Sequence, residues 1–322
     1  MLPFLTVTAH YIDSEWTLRR QLLSFESFPA PHTGARTAER IQKIVAQTGC
    51  ERRFFGLTGD SASSNLKAAR LISTTSSSAM PKWSHLEQFF HCSGHVFNLA
   101  SHEICKPFVH MHNDQVVDDE NVQLRDAVAR GRMCGALAKL ATMARLHHTS
   151  TTFLQVWTRV SKELNLRPLK LVTAAPTRWN SRYEQIRTAF AMRAVYTKMT
   201  EATEYQAYSL SSSDWKLLKW LLEILSAINF ASKYVCQTKQ VSLSLMIPAF
   251  GRVCDVLERE PEWELETEDE RARRRQATEA CKDKLTKYYR HTVENPYYTF
   301  AMRKPLPFQK DEKTTLTRRL CV

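Results

Sequence analysis

Asp60 follows a short apolar run, Arg53 to Thr58, and precedes a segment with helical periodicity that begins at Ser61. Open α/β sheets place ligand-binding groups just beyond the carboxyl end of a strand, and a carboxylate there can hold a divalent cation. The same side chain can instead cap the helix, so both roles stay open for it. One carboxylate alone is not a two-metal centre, which needs further ligands. Cys92, His95, His102 and Cys105 form a second candidate, with the spacing C-x2-H-x6-H-x2-C. In one continuous helix Cys92 and Cys105 would stand about 20 Å apart, whereas zinc ligands converge within about 2.3 Å of the ion. Zinc is therefore not expected unless the helix breaks at Gly94 or Cys92 and His95 find partners elsewhere. The third candidate is the run Pro176-Thr177-Arg178-Trp179-Asn180-Ser181, which lies between two helical patterns. On one helix Arg178, Arg182 and Arg193 fall within about 60° of each other. Such a cationic stripe beside an indole suits phosphate contact and base stacking. It also suits a helix start whose Trp anchors the core while the arginines stay solvated. The nucleophile elbow, the P-loop, the dinucleotide fingerprint and the H-E-x-x-H zinc motif are all missing from the sequence, which removes those enzyme classes.

The elements that must position these residues are readable in outline. Leu2 to Ile12 alternates apolar and polar residues, Trp16 to Phe25 is a second strand candidate, and Asp13-Ser14-Glu15 between them suits a hairpin loop. Thr33 is the expected N-cap of a helix from Ala35 to Gln47, which stops at Gly49. A buried strand over 53–58 and a helix from Ser61 through Ile72 follow. After a polar loop over 73–84 come an apolar run, Leu86 to Phe90, and a long helix from about Cys92 to Cys105. From about Val116 onward the pattern is helical, over 120–147, 151–165, 178–207, 214–235 and 243–258. Residues 258–270 carry seven Glu and one Asp, with RARRR at 271–275 behind them. This reads as a solvated connector before a final helix over 277–290 and a tail without periodicity.

The chain has 322 residues and a net charge of +12, from 45 Lys+Arg against 33 Asp+Glu, which points first to a polyanionic partner. That excess is local. Residues 125–198 hold 14 Lys+Arg against 3 Asp+Glu, and this stretch contains Arg178-Trp179. The amino-terminal residues do not form a secretory signal, since His10 and Asp13 interrupt the apolar run. No window reaches the ~18 apolar residues of a membrane span. The eight scattered cysteines read as reduced thiols of a cytosolic or nuclear protein.

In order along the chain, these pieces resemble the core of hAT superfamily transposases, whose RNase H-like catalytic domain is interrupted by a large helical insertion. The resemblance rests on FLTVTAHYID with WTLRRQLLSFE, then HTGARTAERI, GLTGDSASSNLKAARLI, FFHCSGHVFNLA and PTRWNSRYEQI, and further on VSLSLMIPAF and KLTKYYRHTVENPYYTFAM. It implies an α/β RNase H-like core with an incomplete mixed sheet, interrupted by an all-α insertion. Residues 1–110 would be the partial core, 111–257 the helical insertion, and 258–322 a charged connector with one helix and an irregular tail. The family cleaves and joins DNA with three acids that hold divalent metal, Mg2+ or Mn2+. The resemblance makes Asp60 the second of these acids. It assigns Cys92 and His95 to the motif after the last core strand and Arg178-Trp179 to the pair that handles DNA ends, with Arg182 and Arg193 beside it.

The sequence also departs from the family. The strand with the first acid would precede Phe4, nothing after Tyr298 resembles the dimerisation region with the third acid, and Ala174 stands where relatives often have an acid. The expectation is therefore a core truncated at both ends, without the amino-terminal zinc finger of its relatives. It would be a nuclear DNA-binding remnant without catalytic activity, able to form a homo-oligomer only without that dimerisation region. Two alternatives remain: a metal-dependent nuclease completed by another chain, and a helical protein-interaction module.

Overall fold

The structure is a computed structural model that describes residues 3–75, 80, 82–109, 135–174, 180–237, 242–259 and 267–303. These divide into two compact units. One is drawn from Met1–Val96, Tyr234–Pro248 and Tyr289–Val322, the other from Phe97–Lys233 and Ala249–Tyr288. Among the described residues no helix is long and apolar enough to cross a membrane.

The first unit opens with strands β1 (Phe4–Ile12) and β2 (Leu18–Ser27), paired antiparallel as the alternation predicts. Asp13 shapes the connection: one carboxylate oxygen accepts from the Glu15 and Thr17 amides at 3.0 and 2.9 Å, and the other bonds Arg19. A bulge between Val7 and Thr8 leaves Leu23 unpaired, since Val7 faces Ser24 and Thr8 faces Leu22. Helix α1 (Gly34–Gln47) begins at Thr33, whose hydroxyl accepts from the Arg36 amide, and ends before Gly49 at φ 68°. Its buried face (Ala38, Ile41, Val45) meets Ala68, Ala69 and Ile72 of α2 (Ser63–Thr75), together with Trp83 and Phe89. The helices approach so closely at Gly34 that a Cβ there would lie 2.6 Å from the Lys67 Cβ and 2.7 Å from the Ser64 carbonyl.

Strand β3 (Leu57–Gly59) is shorter than the strand expected over 53–58. The reason lies at Phe55, whose carbonyl is taken by Trp83 Nε1 and Gln88 Nε2, so side chains replace strand partners. After the single turn α3 (His85–Gln88), β4 (Phe89–His91) pairs parallel with β3, and α4 (Ser93–Val109) follows. The expected mixed sheet is thus corrected to two separate two-stranded sheets among the described residues, in a mostly helical chain.

Among the described residues there follow the helices α5 (Ala136–Thr149), α6 (Thr151–Glu163), α7 (Ser181–Ala191), α8 (Arg193–Met199), α9 (Ser212–Val235), α10 (Met246–Leu257), α11 (Glu268–Glu294) and α12 (Pro296–Arg303). Three differ from the sequence reading. The helix expected over 178–207 is interrupted at Met192, with φ −110° and ψ 21°. RARRR lies inside α11, whose start is a capping box: Glu270 N–H donates to the Thr267 hydroxyl, and the Glu270 carboxylate accepts from the Thr267 amide. The first part of the tail read as irregular, Pro296–Arg303, is helix α12, with proline in its first position, and the rest of that tail lies outside the described residues. Its Tyr297 and Tyr298 rings pack on Phe55 and Phe90, and Asn295 Nδ2 donates to the Glu87 carbonyl at 2.7 Å.

The second unit is built on fully buried large side chains, among them Phe97, Leu140, Met143, Phe153, Trp157, Ile186, Tyr196 and Phe250. Cys105, Cys254 and Cys281 are free thiols there. Burial pushes Cys105 up to about 11; for Cys254 burial and nearby Glu258 push it up to about 11. His147, 4% exposed, lies among His148, Phe153 and Trp157, and its Nδ1 is buried without a hydrogen-bond partner. Burial, helped by His148 and Lys170, lowers its pKa from 6.5 to about 4.

Two outcomes follow. Alanine ordinarily favours a helix over glycine, yet Gly34→Ala should lower the melting temperature of the first unit, costing about 1–3 kcal/mol through overpacking. An unchanged or raised melting temperature would contradict the close approach. For His147, the unfolded chain binds its proton near pH 6.5 and the folded chain only near 4. The unfolded state therefore holds more protons in that window, and stability falls as pH drops through it, by roughly 3 kcal/mol in all. Denaturant titrations at pH 7 and pH 4 should show this loss, and it should shrink in His147→Gln.

Candidate functional site

The parallel pair is the element that gathers chemistry-bearing residues. Leu57, Thr58 and Gly59 face Phe89, Phe90 and His91 in turn, and the ladder continues one step further, with Cys92 N–H donating to the Gly59 carbonyl at 2.7 Å. Asp60 and Cys92 therefore stand together at the carboxyl ends of the two strands. Asp60 is exposed, and its Oδ1 accepts from the Ala62 amide at 2.9 Å and from Asn65 Nδ2 at 2.7 Å. Asp60 thus forms an Asx turn just before α2 and holds the Asn65 side chain of its first turn, without capping a helical amide itself. The Cys92 carbonyl accepts the Val96 amide at 3.1 Å, so this half-buried residue heads α4, with His95 in its first turn.

A neighbouring pair escaped the sequence reading. Ser61 Oγ and His91 Nδ1 lie 3.0 Å apart, and the His91 ring meets Phe89 at 5.4 Å and His291 at 4.8 Å, both edge-on. Ser61, His91 and His291 are spread over 231 positions with no motif spacing, so only the strand register and the return of α11 bring them together. A hydroxyl against an imidazole can exchange a proton.

The wider metal candidate does not converge. Helix α4 is continuous through Gly94, so Cys92, His95, His102 and Cys105 are strung along it; His102 is exposed and Cys105 buried. Among the described residues no group of three His, Cys, Asp or Glu could hold a metal ion. The ligand set of a two-metal phosphoryl-transfer centre is not present in them, and Asp60 already bonds α2 through one oxygen.

In the helical block, Arg178 and Trp179 lie outside the described residues. Arg182 and Arg193 are not on one helix, because Met192 separates α7 from α8. This corrects the single cationic stripe expected from a continuous helix. Half-buried Arg182 donates to Gln185 Oε1 at 2.8 Å, while exposed Arg193 lies 4.8 Å over the Trp215 ring. Trp215 is in turn fixed edge-on between Phe190 and Tyr196. Other cations are held by carboxylates: Arg187 by Glu184, Lys198 by Glu201, Arg159 by Glu163, and Lys139 by Asp214, which also accepts from the Ser211 amide.

Comparison with known proteins matches two consecutive parts of the chain. Residues 1–84 match the ZBED1 RNase-like domain, and residues 90–224 match the ZBED1 RNase-like helical domain. A protein of Talaromyces stipitatus named as the transcriptional regulator tpeD is 23% identical over 80% of the chain, and one of Zea mays named as an AC transposase is 22% identical over 79%. A second Zea mays protein, named as an AC9 transposase, is 29% identical over 30% of the chain. The matched regions span 31%, 29% and 12% of those relatives' own lengths. Together with the order of elements around Asp60 and Cys92, these matches show that the chain belongs to the hAT-type, transposase-related proteins.

Proposed function

We propose that this chain binds duplex DNA through its helical block and does not cut it. The observation that carries the reading is where the charge sits. The stretch over 125–198, with 14 basic against 3 acidic side chains, lies within the part of the chain that matches the RNase-like helical domain. A polyphosphate backbone is the partner that such an excess attracts, at any sequence, through release of counterions. Arg178-Trp179, with Arg182 and Arg193 of the same stretch of sequence, is read as the part that meets DNA ends, and Cys92 and His95 as further DNA-binding residues. The unit with the two small sheets is read as the RNase H-like part, with Asp60 in the place of the family's second acid.

Absence of cutting rests on Asp60 itself. Its Oδ1 serves α2, and the described residues place no second and third ligand around it. Mg2+ or Mn2+ would be the metal of a completed centre, and nothing in the described residues fits a two-metal arrangement. Binding without cutting also suits a relative named as a transcriptional regulator, and a DNA-binding role is the reason for reading the chain as nuclear.

Two measurements test this reading. In gel-shift titrations with a mixed-sequence duplex, the chain should bind at low salt and lose affinity steeply as salt rises. Arg178→Ala with Trp179→Ala should weaken that binding. No binding at low salt, or binding indifferent to these substitutions, would remove the main support. In a supercoiled-plasmid assay with Mg2+ or Mn2+, the chain should leave the plasmid closed, whereas nicking that disappears in Asp60→Ala would show a working centre. The same variant should also melt earlier, by about 1 kcal/mol, through loss of the bonds from the Ala62 amide and the Asn65 side chain.

A further inference from the structure

After α6, residues 164–171 lie outside helix and strand, yet they are tied down at several points. Helix α6 ends in a Schellman motif: Leu166 N–H donates to the Ser161 carbonyl at 2.8 Å, Asn165 N–H to the Lys162 carbonyl at 3.0 Å, and Asn165 takes the left-handed conformation with φ 54°. Pro168 fixes its own φ and holds Arg167 before it in an extended conformation. Trp157 Nε1 donates to the Leu169 carbonyl at 3.1 Å, and His148 donates through Nε2 to the Leu171 carbonyl at 2.8 Å. The Leu171 side chain is fully buried. Residues 165–171 therefore form a strap fastened to α5 and α6 by two ring donors, a helix cap and an apolar anchor.

Between the fastenings, Arg167 and Lys170 are exposed, with Lys162 at the end of α6 beside them. None of the three is in an ion pair among the described residues, whereas Arg159, Arg187, Lys198 and Lys139 each are. Arg182 and Arg193 are engaged by Gln185 and Trp215. Cations on a fixed backbone lose less freedom on binding than cations on a mobile loop. A guanidinium adds paired hydrogen bonds to one phosphate.

We propose that this strap, through Arg167 and Lys170, is a phosphate-contacting element for duplex DNA. The proposal rests on the DNA-binding reading above and assigns part of that contact to residues outside the Arg178-Trp179 motif. Trp157 and His148 are its positioning residues.

The test is the salt dependence of binding to a fluorescein-labelled 30-base-pair duplex, read by anisotropy on the full chain at several KCl concentrations. Each lost phosphate contact lowers the slope of log affinity against log salt by about 0.9. Arg167→Ala with Lys170→Ala should therefore lower it by roughly 1.8 and weaken binding on the order of tenfold or more at 0.1 M salt. The charge-keeping pair Arg167→Lys with Lys170→Arg should retain the slope. Lys216→Ala with Lys219→Ala, which removes the same charge from exposed positions on α9, should retain it too. If the wild-type chain fails to bind at all, the DNA reading itself falls. If it binds and the Arg167/Lys170 variant keeps the full slope, or the Lys216/Lys219 variant loses as much, the strap is overturned while the DNA reading stands.

Discussion

One hydrogen bond, from Cys92 N–H to the Gly59 carbonyl, carries the organisation of the first unit. It extends a parallel ladder of only three residue pairs by one step and thereby fixes where two helices start. Asp60 turns into α2 through its own carboxylate, and Cys92 turns into α4 through its carbonyl. The register also decides which aromatic ring is inside. Phe89 is 3% exposed and joins the core with Ile41, Ala69 and Ile72, while Phe90 meets Phe55 and the tyrosines of α12. A slip of one residue would exchange the two faces of β4. Ser61 would then lose His91, and Phe89 would leave the core.

The second unit solves a different problem, that of keeping a large positive excess on a folded surface. Its charges are not equally available. Carboxylates three or four residues away hold Arg187, Lys198 and Arg159, and an aromatic face holds Arg193. Exposed pairs of this kind contribute little to stability, but each keeps a cation turned along the surface. The formal charge of the stretch is therefore a poor guide to which side chains meet a polyanion. Local pairing sorts them, and the sorting is visible only in three dimensions.

Much of the frame was legible because its signals are local. Thr33 before α1 and Gly49 behind it mark a helix through capping chemistry, and the alternation from Leu5 to Tyr11 marks β1. Other local signals were present but masked by composition. Thr267 and Glu270 form a capping box inside a run of acids that reads as solvated connector, and Asn295-Pro296 opens a helix inside a tail rich in aromatics. What stayed hidden is non-local. The shortening of β3 depends on Trp83 and Gln88 reaching Phe55 from about thirty residues away. The Ser61–His91–His291 contact depends on register, and the separation of Arg182 from Arg193 depends on one residue, Met192, leaving helical geometry. Asp60 shows the limit most clearly: its place at a strand end was readable, but its engagement with Asn65 was not.

The bulge in β2 acts as a change of phase. Leu22 and Phe25 are three positions apart, an odd interval that in a regular strand puts them on opposite sides. With Leu23 left out of the ladder, their partners are Thr8 and Thr6, which share a side, so both point outward. Phe25 then stacks on Phe4 at 4.8 Å, and Leu22 at 57% and Phe25 at 62% exposure join Leu18 and Ile12 along one face. A single supernumerary residue thus lets Leu22 and Phe25 share one oily outer side despite their odd interval. Deleting Leu23 would leave Thr8–Leu22 and Val7–Ser24 as consecutive pairs, so the same oily side would persist on a ladder without a bulge, and only the local kink would be lost.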